Sequence, residues 1–265
     1  MAKQANAPFA ESRKQKIVKQ VNLKGEVNVS DLCDEFQVSP ATIRNDLNEL
    51  ERFGLLLRTH GGAMKNTNNV TYELTSQEKT AFNLISKKAI AKAGLAYIKS
   101  GAVIALDTGT TTLELAKLLQ HTALTLTVLT NDLLIAACLE RNNNITVMML
   151  GGTIRRGFHC TTGNMLLDFI GNLSIDIAFI ATNAINTKRG LSTPNIDIAN
   201  VKRKMIQISH CTILLADSSK IGANAFASFA KLSEIDYMIT DDNVTTEFAN
   251  EANECGMELV KVLTK

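Results

Sequence analysis

The fold of the N-terminal part is decided by Ser39-Pro40-Ala41-Thr42-Ile43-Arg44-Asn45-Asp46-Leu47, followed by Arg58-Thr59-His60-Gly61-Gly62. Ser39 can cap the free amides at a helix start, and Pro40 at the first helical position loses no hydrogen bond. Ile43, Leu47 and Leu50 recur at helical spacing and predict one buried stripe. The pattern therefore predicts a helix that begins at Pro40 and leaves its opposite side free.

The free side of this helix carries short, mostly uncharged residues. Such a face suits a helix in the major groove, where Asn pairs with adenine and Arg reaches guanine or a phosphate. Asp46 falls beside the buried stripe, which indicates a structural partner within the domain. The predicted DNA-binding residues are Ser39, Ala41, Thr42, Arg44, Asn45 and Asn48 on the helix, with Arg58 and His60 on the hairpin wing.

Two further helices are predicted upstream, over residues 11–23 and 30–36, with a cap at Ser30 for the second and a C-cap at Gly54 for the recognition helix. Three short helices and a wing predict a winged helix-turn-helix. The first helix is basic and could attract phosphates, although such a run is often only a solvated face. Its basic residues are Arg13, Lys14, Lys16 and Lys19.

The motifs at Ser39–Leu47 and Arg58–Gly62, the latter followed by Ala63, resemble the signature of the DeoR family of bacterial transcription regulators. The resemblance covers nearly the whole chain. It implies an N-terminal winged helix-turn-helix and a C-terminal sensor domain similar to sugar-phosphate isomerases. It also implies repression of an operon for sugar or polyol use.

Length favours two domains, since the chain has 265 residues and a domain takes roughly 100–200. A polar stretch around Lys65–Thr71 predicts a boundary, with a DNA-binding domain over 1–63, a linker over 64–78 and an effector-sensing domain over 79–265. Net charge of +2 and a pI near 8.2 do not by themselves mark a nucleic-acid binder. The DNA interpretation rests on the local pattern.

Five scattered cysteines form no Cys-x-x-Cys pair or His/Cys cluster at metal spacing, so neither a metal nor a cofactor is expected. No apolar run approaches the roughly 20 residues that span a bilayer, and no signal-peptide core is present at the start. These features predict a reduced, cytoplasmic protein without a membrane partner.

The sequence after the predicted linker indicates an α/β fold with a largely parallel sheet. Predicted strands and helices alternate there, and most of the strands are continuous apolar runs. A long helical pattern covers residues 79–99. The predicted strands are Val103–Leu106, Leu126–Leu129, Thr146–Leu150, Ile177–Ala181, Ile213–Ala216, Tyr237–Ile239 and Glu258–Val262.

Polar residues follow these strands, where ligands bind in open α/β sheets. The loop at 107–112 enters a helix and could hold an anion, although Thr110 or Thr111 could instead only cap that helix. Gly151 and Gly152 could equally serve a turn. For Arg155 and Arg156 the solvated interpretation is favoured. The predicted effector-binding residues are Asp107, Thr108, Gly109, Thr110, Thr111, Thr112, Thr130, Asn131, Gly151, Gly152, Asn183, Asp217 and Lys220.

Two positions depart from the family pattern. Val21 stands where the family more often shows Leu or Ile, a swap that preserves a core position, and Ile198 stands before Ala199 where the family usually has Glu. A different effector, a shifted pocket or compensation by Asp197 would each account for Ile198. The leading hypothesis is a repressor controlled by a phosphorylated sugar or polyol and active as a homodimer or higher oligomer, since paired half-sites need paired reading heads.

Two other hypotheses stay open. A sugar-phosphate isomerase fused to a DNA-binding head would need a positioned base. Asp107, Asp217 and Lys220 are available, but no strand-end histidine replaces the missing Glu. A purely structural DNA binder with a dimerisation domain would leave the Thr-rich loop and the Asp217–Lys220 segment unexplained.

Overall fold

The structure is a computed structural model that describes residues 7–52, 55–66, 73–80 and 82–264, and of residues 7–9, 11, 12, 15, 19, 22 and 23 it describes the backbone only. Gly54, the side chain of Lys19 and positions 67–72 of the predicted linker lie outside the described residues. The chain divides into two compact units between Leu74 and Thr75. They are called the N-terminal unit and the C-terminal unit below.

The N-terminal unit is a winged helix-turn-helix, as predicted. Its elements are α1 (Ala7–Lys24), β1 (Glu26–Asn28), α2 (Val29–Phe36), α3 (Pro40–Arg52), β2 (Leu57–Arg58) and β3 (Gly62–Met64). The strands form an antiparallel sheet in the order β1-β3-β2. The loop between β2 and β3 is the wing.

Helix α3 begins where the sequence predicts. The Thr42 amide donates a hydrogen bond of 3.2 Å to the Ser39 hydroxyl, and Ile43, Leu47 and Leu50 are fully buried. Helix α2 differs from the prediction, because it begins at Val29 and Asn28 precedes it without a side-chain cap. Ser30 is exposed within the first turn, so it does not cap the helix.

The C-terminal unit is an α/β domain with a larger set of elements than predicted. Its helices are α4 (Ser76–Thr80), α5 (Leu84–Leu95), α6 (Thr110–Leu119), α7 (Leu133–Leu139), α8 (Asn164–Ile170), α9 (Ile196–Gln207) and α10 (Thr246–Glu254), with 3₁₀ turns at Ser218–Lys220 and Leu232–Glu234. Its strands are β4 (Val103–Leu106), β5 (Leu126–Thr130), β6 (Ile145–Met149), β7 (Thr153–Arg155), β8 (Cys160–Thr162), β9 (Ile175–Ile180), β10 (Ala184–Asn186), β11 (Gly190–Thr193), β12 (Ser209–Leu215), β13 (Ala227–Ala230), β14 (Tyr237–Asp241) and β15 (Glu258–Val262).

Seven of these strands form a parallel sheet in the order β15-β14-β12-β9-β4-β5-β6. They are the seven strands that the sequence predicts, with ends shifted by up to four residues. The short strands β7, β8, β10, β11 and β13 were not predicted; they form a hairpin and a separate three-stranded antiparallel sheet. The largely parallel α/β architecture is therefore confirmed.

The predicted long helix over 79–99 is wrong, because the chain leaves the helical path between α4 and α5. Asn83 adopts a left-handed conformation with φ of 53°. Its side-chain amide donates to Asp217 Oδ1 at 2.8 Å. A helix that ran straight through this position would lose that contact, which sequence periodicity does not reveal.

Two apolar clusters cover the two faces of the parallel sheet, and successive strand residues alternate between them. Ala105 and Leu129 pack in the cluster that includes Ala199 and Met205 of α9. Ile104, Leu106 and Val128 pack in the other, with residues of α5, α6 and α7. Since all seven strands run the same way, their carboxyl ends meet at one edge of the sheet.

The two adjacent glycines of the wing provide a test of the N-terminal fold. A Cβ at Gly62 would lie 1.9 Å from the Val27 carbonyl oxygen, whereas a Cβ at Gly61 would have nothing within 4 Å. We expect Gly62→Ala to separate β1 from β3 and to destabilise the unit by about 1–3 kcal/mol. Hydrogen exchange of the amides in β1 and β3 measures this. The matched Gly61→Ala variant should exchange like the wild type, and equal exchange in both variants would contradict the assignment.

Candidate functional site

The outward side of α3 has the exposure that the sequence predicts. Ala41, Arg44, Asn45 and Asn48 are exposed, and Thr42 is half-buried. The Ser39 hydroxyl lies 2.9 Å from the Thr42 hydroxyl as well as accepting from the Thr42 amide. These residues form one continuous polar surface, and their role in reading DNA stays a prediction.

Two basic residues of α1 are bound to α3. Arg13 makes a two-pronged contact with Asp46, with Nε at 2.5 Å from Oδ2 and Nη2 at 3.2 Å from Oδ1. Lys14 Nζ lies 2.5 Å from Glu49 Oε2. Asp46 is therefore the structural partner that its position predicts. The charges of Arg13 and Lys14 are thus paired within the unit, while phosphate attraction by the first helix stays a prediction.

The wing places Arg58 and His60 differently. His60 is exposed at the bend between the two wing strands. Arg58 is half-buried, and its amide donates to Glu51 Oε1 at 2.7 Å. Its Nη1 is buried without a hydrogen-bond partner among the described residues. A buried donor of this kind is usually paired in a protein, so Arg58 has bonding capacity left for another molecule.

At the sheet edge of the C-terminal unit, Asp107 forms a buried ion pair with Lys202. Their side chains are 0% and 3% exposed. Asp107 Oδ2 accepts from Lys202 Nζ and from the Ala181 amide at 3.0 Å. Lys202 Nζ also donates to the Ala181 carbonyl at 2.9 Å. The pair thus joins the end of β4, the end of β9 and helix α9.

Sequence reasoning missed Lys202. The signal that could have found it is its spacing, because Lys202 lies on α9 four residues after Ile198 and shares that buried helix face. A lysine in such a stripe needs a partner, since an unpaired buried charge is costly.

Burial governs the acidity of this part of the site. It raises the pKa of Asp107, which Lys202 opposes, and it raises the pKa of Asp132, which hydrogen bonds from Thr108 and from the first amides of α7 oppose. Burial also raises the pKa of the Cys160 thiol to about 11. The thiol is therefore protonated and unreactive at neutral pH.

The threonine loop after β4 is used largely by the protein itself. The Thr112 hydroxyl donates to the carbonyls of Asp107 and Gly109, at 2.7 and 2.8 Å. The Thr108 hydroxyl donates to Asp132 Oδ2 at 2.7 Å. Thr111 is buried, and Thr110 is half-buried at the start of α6. The residue before α6 is Gly109, so the alternative that Thr110 or Thr111 caps this helix is wrong.

The two glycines after β6 have different requirements. Gly152 has φ of 142°, and a Cβ there would lie 2.4 Å from the Thr162 carbonyl oxygen. Packing against β8 therefore explains this glycine without a ligand. Gly151 has open space around its Cβ position. Further along the chain Arg155 stacks 3.6 Å from the centroid of the Phe158 ring, so it is not the solvated residue expected, while Arg156 is exposed.

A second polar cluster follows β12. Asp217 is buried and accepts hydrogen bonds from Asn83 Nδ2 at 2.8 Å and from the Ser219 amide at 3.1 Å. Burial alone would raise its pKa, but the charges of Lys220 and Lys87 and the hydrogen bonds from the side chains of Ser219 and Asn83 outweigh burial and hold the pKa below its usual value. Asp217 is thus ionised. Neither Asn83 nor Lys87 was predicted, because both lie in the apparent helix.

The three remaining predicted residues, Thr130, Asn131 and Asn183, each make a hydrogen bond within the unit. Thr130 is buried and accepts from the Asp132 amide at 3.1 Å. Asn131 is fully buried and donates to the Thr161 carbonyl at 3.0 Å. Asn183 is half-buried and accepts from the Thr193 hydroxyl at 2.9 Å.

The sheet order sets the spacing of these groups. Asp107 and Asn131 follow neighbouring strands, whereas Asp217 follows a strand two places from β4, about 10 Å away at the usual strand spacing. Gly151 follows the edge strand β6. The structure therefore brings the predicted residues to one edge of the sheet, as a hydrogen-bonding part around Asp107 and a charged part around Asp217.

Together, a winged helix-turn-helix and an α/β unit with polar strand ends define a transcription regulator with a DNA-binding part and a sensor part. The chain belongs to the DeoR family of such regulators. A family model described as the DeoR C-terminal sensor domain matches residues 83–242, and one described as the DeoR-like helix-turn-helix domain matches residues 13–69.

Curated relatives are similar over nearly their whole length. The HTH-type transcriptional regulator GlpR of Haloferax volcanii is 38% identical, with 94% of this chain and 96% of the relative covered. A putative aga operon transcriptional repressor of Escherichia coli O157:H7 is 31% identical, with 94% and 93% covered. A lactose phosphotransferase system repressor of Staphylococcus epidermidis is 34% identical, with 87% and 92% covered.

Solved structures give a weaker likeness. Ribose 5-phosphate isomerase of Methanocaldococcus jannaschii is 18% identical, with 51% of this chain and 53% of that chain covered. The TM-score is 0.38, and a likeness of this strength carries no conclusion about activity. The relatives are named regulators and repressors, so the chain is a regulator and not an isomerase. Among the described residues no helix is long and apolar enough to cross a membrane.

The buried ion pair makes a testable demand on stability. Lys202→Met leaves Asp107 as an uncompensated buried carboxylate, so we expect a loss of about 3–5 kcal/mol in the free energy of unfolding. Urea unfolding of the full chain measures it. Adding Asp107→Asn to that variant should recover most of the loss. Lys188→Met, at an exposed lysine, should stay within about 0.5 kcal/mol. A loss in Lys188→Met as large as in Lys202→Met would contradict the role of the pair.

Proposed function

We propose that this regulator represses an operon for sugar or polyol use, and that a phosphorylated sugar or polyol bound at the strand ends releases it from DNA. The names of two relatives, an aga operon repressor and a lactose phosphotransferase system repressor, support the class of operon. The effector is inferred from the strand ends of this chain.

The observation that carries the effector proposal is the state of Lys220. It is half-buried beside the ionised Asp217, and its ammonium group donates no hydrogen bond to the described residues. A half-buried lysine whose ammonium group makes no hydrogen bond to the protein can bind a phosphate as a point charge. The neutral and paired groups around Asp107, two strands away, suit hydroxyl groups. A phosphate ester of a sugar or polyol combines these two chemistries.

The DNA contacts are proposed for the polar side of α3 and for the wing. Arg44, Asn45 and Asn48 would read base edges, and Ser39, Ala41 and Thr42 would permit close approach of the helix. The buried, unpartnered Nη1 of Arg58 and the exposed His60 would meet phosphates. A homodimer or higher oligomer would present two such heads to paired half-sites.

Control requires the effector to prefer the form that does not bind DNA. A swing from mostly bound to mostly free needs a preference of about 10⁴-fold for that form, and occupancy without preference changes nothing. Ile198 bears on the effector's identity, because it is buried at 3% exposure one turn before Lys202. Asp197 is exposed, which speaks against compensation at that position. An effector with an apolar or less hydroxylated part next to Ile198 fits this arrangement.

The division of labour between the two units can be tested with a pair of variants. Arg44→Ala should weaken binding to a duplex selected by the wild-type protein by about ten-fold, or 1.4 kcal/mol, because one base or phosphate contact is lost. Lys220→Ala should bind the same duplex normally. Fluorescence anisotropy at fixed salt measures both affinities, and unchanged affinity in Arg44→Ala would remove its assigned role.

The effector class can be tested by thermal unfolding. Each phosphorylated sugar and polyol of a panel is compared with its unphosphorylated parent, and a ligand at about 100 times its Kd should add roughly 2.7 kcal/mol of stability. We expect a shift with a phosphate ester that Lys220→Ala abolishes and Arg44→Ala preserves. The same ester should release the selected duplex. If no ester shifts the wild-type protein, the phosphate is not part of the effector.

A further inference from the structure

Two buried acceptor oxygens at the sheet edge have no donor. Asp107 Oδ1 and Asn131 Oδ1 each lack a hydrogen-bond partner among the described residues, and both residues are 0% exposed. Buried acceptors are nearly always paired, so two unpaired acceptors at neighbouring strand ends indicate that further donors bind there. A donor is required at both atoms, because an amide oxygen only accepts and so does the oxygen of a carboxylate that is ion-paired with Lys202.

The two oxygens belong to side chains that face the same way. Leu106 of β4 pairs with Thr130 of β5, so Asp107 and Asn131 follow directly opposite each other. Both lie two residues beyond Ala105 and Leu129, which pack on the α9 side of the sheet. Since strand side chains alternate with a period of two, we expect Asp107 and Asn131 on that side too, with their Cα atoms about 5 Å apart. The hydrogen bond from Lys202 of α9 to Asp107 agrees with this placement.

The other polar atom of each side chain is fixed by the protein. Asp107 Oδ2 is held by Lys202 Nζ and the Ala181 amide. Asn131 Nδ2 donates to the Thr161 carbonyl, and because a carbonyl can only accept, this contact also establishes which end of the amide is the oxygen. The two free oxygens are therefore held in place before any ligand arrives.

The charges around the two free oxygens limit the kind of donor that can bind them. An anion is disfavoured, because it would meet two acceptor oxygens. An ammonium group is disfavoured as well, because Lys202 already supplies the positive charge that balances Asp107. Neutral donors remain, and among these the hydroxyl groups of a sugar or polyol fit the proposed effector, since they donate hydrogen bonds without adding charge.

We propose that Asp107 Oδ1 and Asn131 Oδ1 accept hydrogen bonds from two hydroxyl groups of one ligand and form a polyol-reading subsite distinct from the lysine that takes the phosphate. This inference rests on the proposed function, since it deepens the same effector site. It assigns the hydroxylated end of the ligand to β4 and β5 and the charged end to the 3₁₀ turn after β12.

The test is isothermal titration of the full chain with matched probes. The probes are ribose 5-phosphate against 2-deoxyribose 5-phosphate, glucose 6-phosphate against 2-deoxyglucose 6-phosphate, unphosphorylated ribitol and glucitol, and inorganic phosphate. In at least one pair the deoxy compound should bind the wild-type protein about ten-fold more weakly, because it leaves a buried acceptor unpaired. Asn131→Leu should weaken the hydroxylated member about ten-fold and the deoxy member little, so that their ratio falls to about one.

A matched control is Asn142→Leu. Asn142 is also a buried asparagine, but its amide donates to the carbonyls of Leu119, Gln120 and Thr122, away from the strand ends. This variant should lose stability while keeping the wild-type ratio between the paired probes. If Asn131→Leu fails to fold, the wild-type ratio alone decides, since equal affinity within both pairs overturns the subsite.

The outcomes separate the subsite from the proposed function. If phosphate esters bind with equal affinity to their deoxy counterparts, or if Asn131→Leu keeps the wild-type ratio, the subsite is overturned and the phosphorylated effector stands. If only ribitol or glucitol binds, and Asn131→Leu abolishes that binding, the subsite stands and the phosphate is wrong. Binding by none of the probes overturns both.

Discussion

The Asp107–Lys202 ion pair fixes the geometry of the sheet edge on which every candidate effector contact depends. It ties two neighbouring strands to the helix that covers them, and both polar groups of Ala181 take part. Removing two charges from water is costly, and their attraction repays the cost only when further hydrogen bonds complete the geometry. Here the backbone of Ala181, the residue that follows β9, supplies those bonds. These bonds constrain the strand ends. Asp107 has one oxygen bonded to Lys202 and Ala181, and its other oxygen has no partner among the described residues.

Much of the fold could be predicted because its signals are local. Ser39 and Pro40 mark the start of α3, and the spacing of Ile43, Leu47 and Leu50 defines its buried side. The seven parallel strands are apolar runs because helices cover both faces of the sheet. The break at Asn83 could not be predicted in the same way, because the hydrogen bond made there joins Asn83 to Asp217, 134 residues away.

The sequence predicts where the candidate effector site lies, but not which of its polar groups are free to bind a ligand. In an open parallel sheet ligands bind beyond the carboxyl ends of the strands, so the candidate effector residues are those that directly follow strands. Which polar groups are free depends on tertiary neighbours. Thr112 turns back onto carbonyls of its own loop, and Thr108 supports the cap of α7. Lys202 was not predicted, and it becomes central only because α9 packs against β9 and brings its ammonium group to Asp107.

The span of the ion pair has a consequence for the order in which the protein is made. Asp107 and Lys202 are 95 residues apart, whereas the Arg13–Asp46 contact of the N-terminal unit spans 33. Contacts of long span form late, and domains generally fold in order from the ribosome. We therefore expect α3 and the wing to be assembled on a nascent chain whose Lys202 has not yet been synthesised. During that interval the winged helix-turn-helix exists without a complete C-terminal unit.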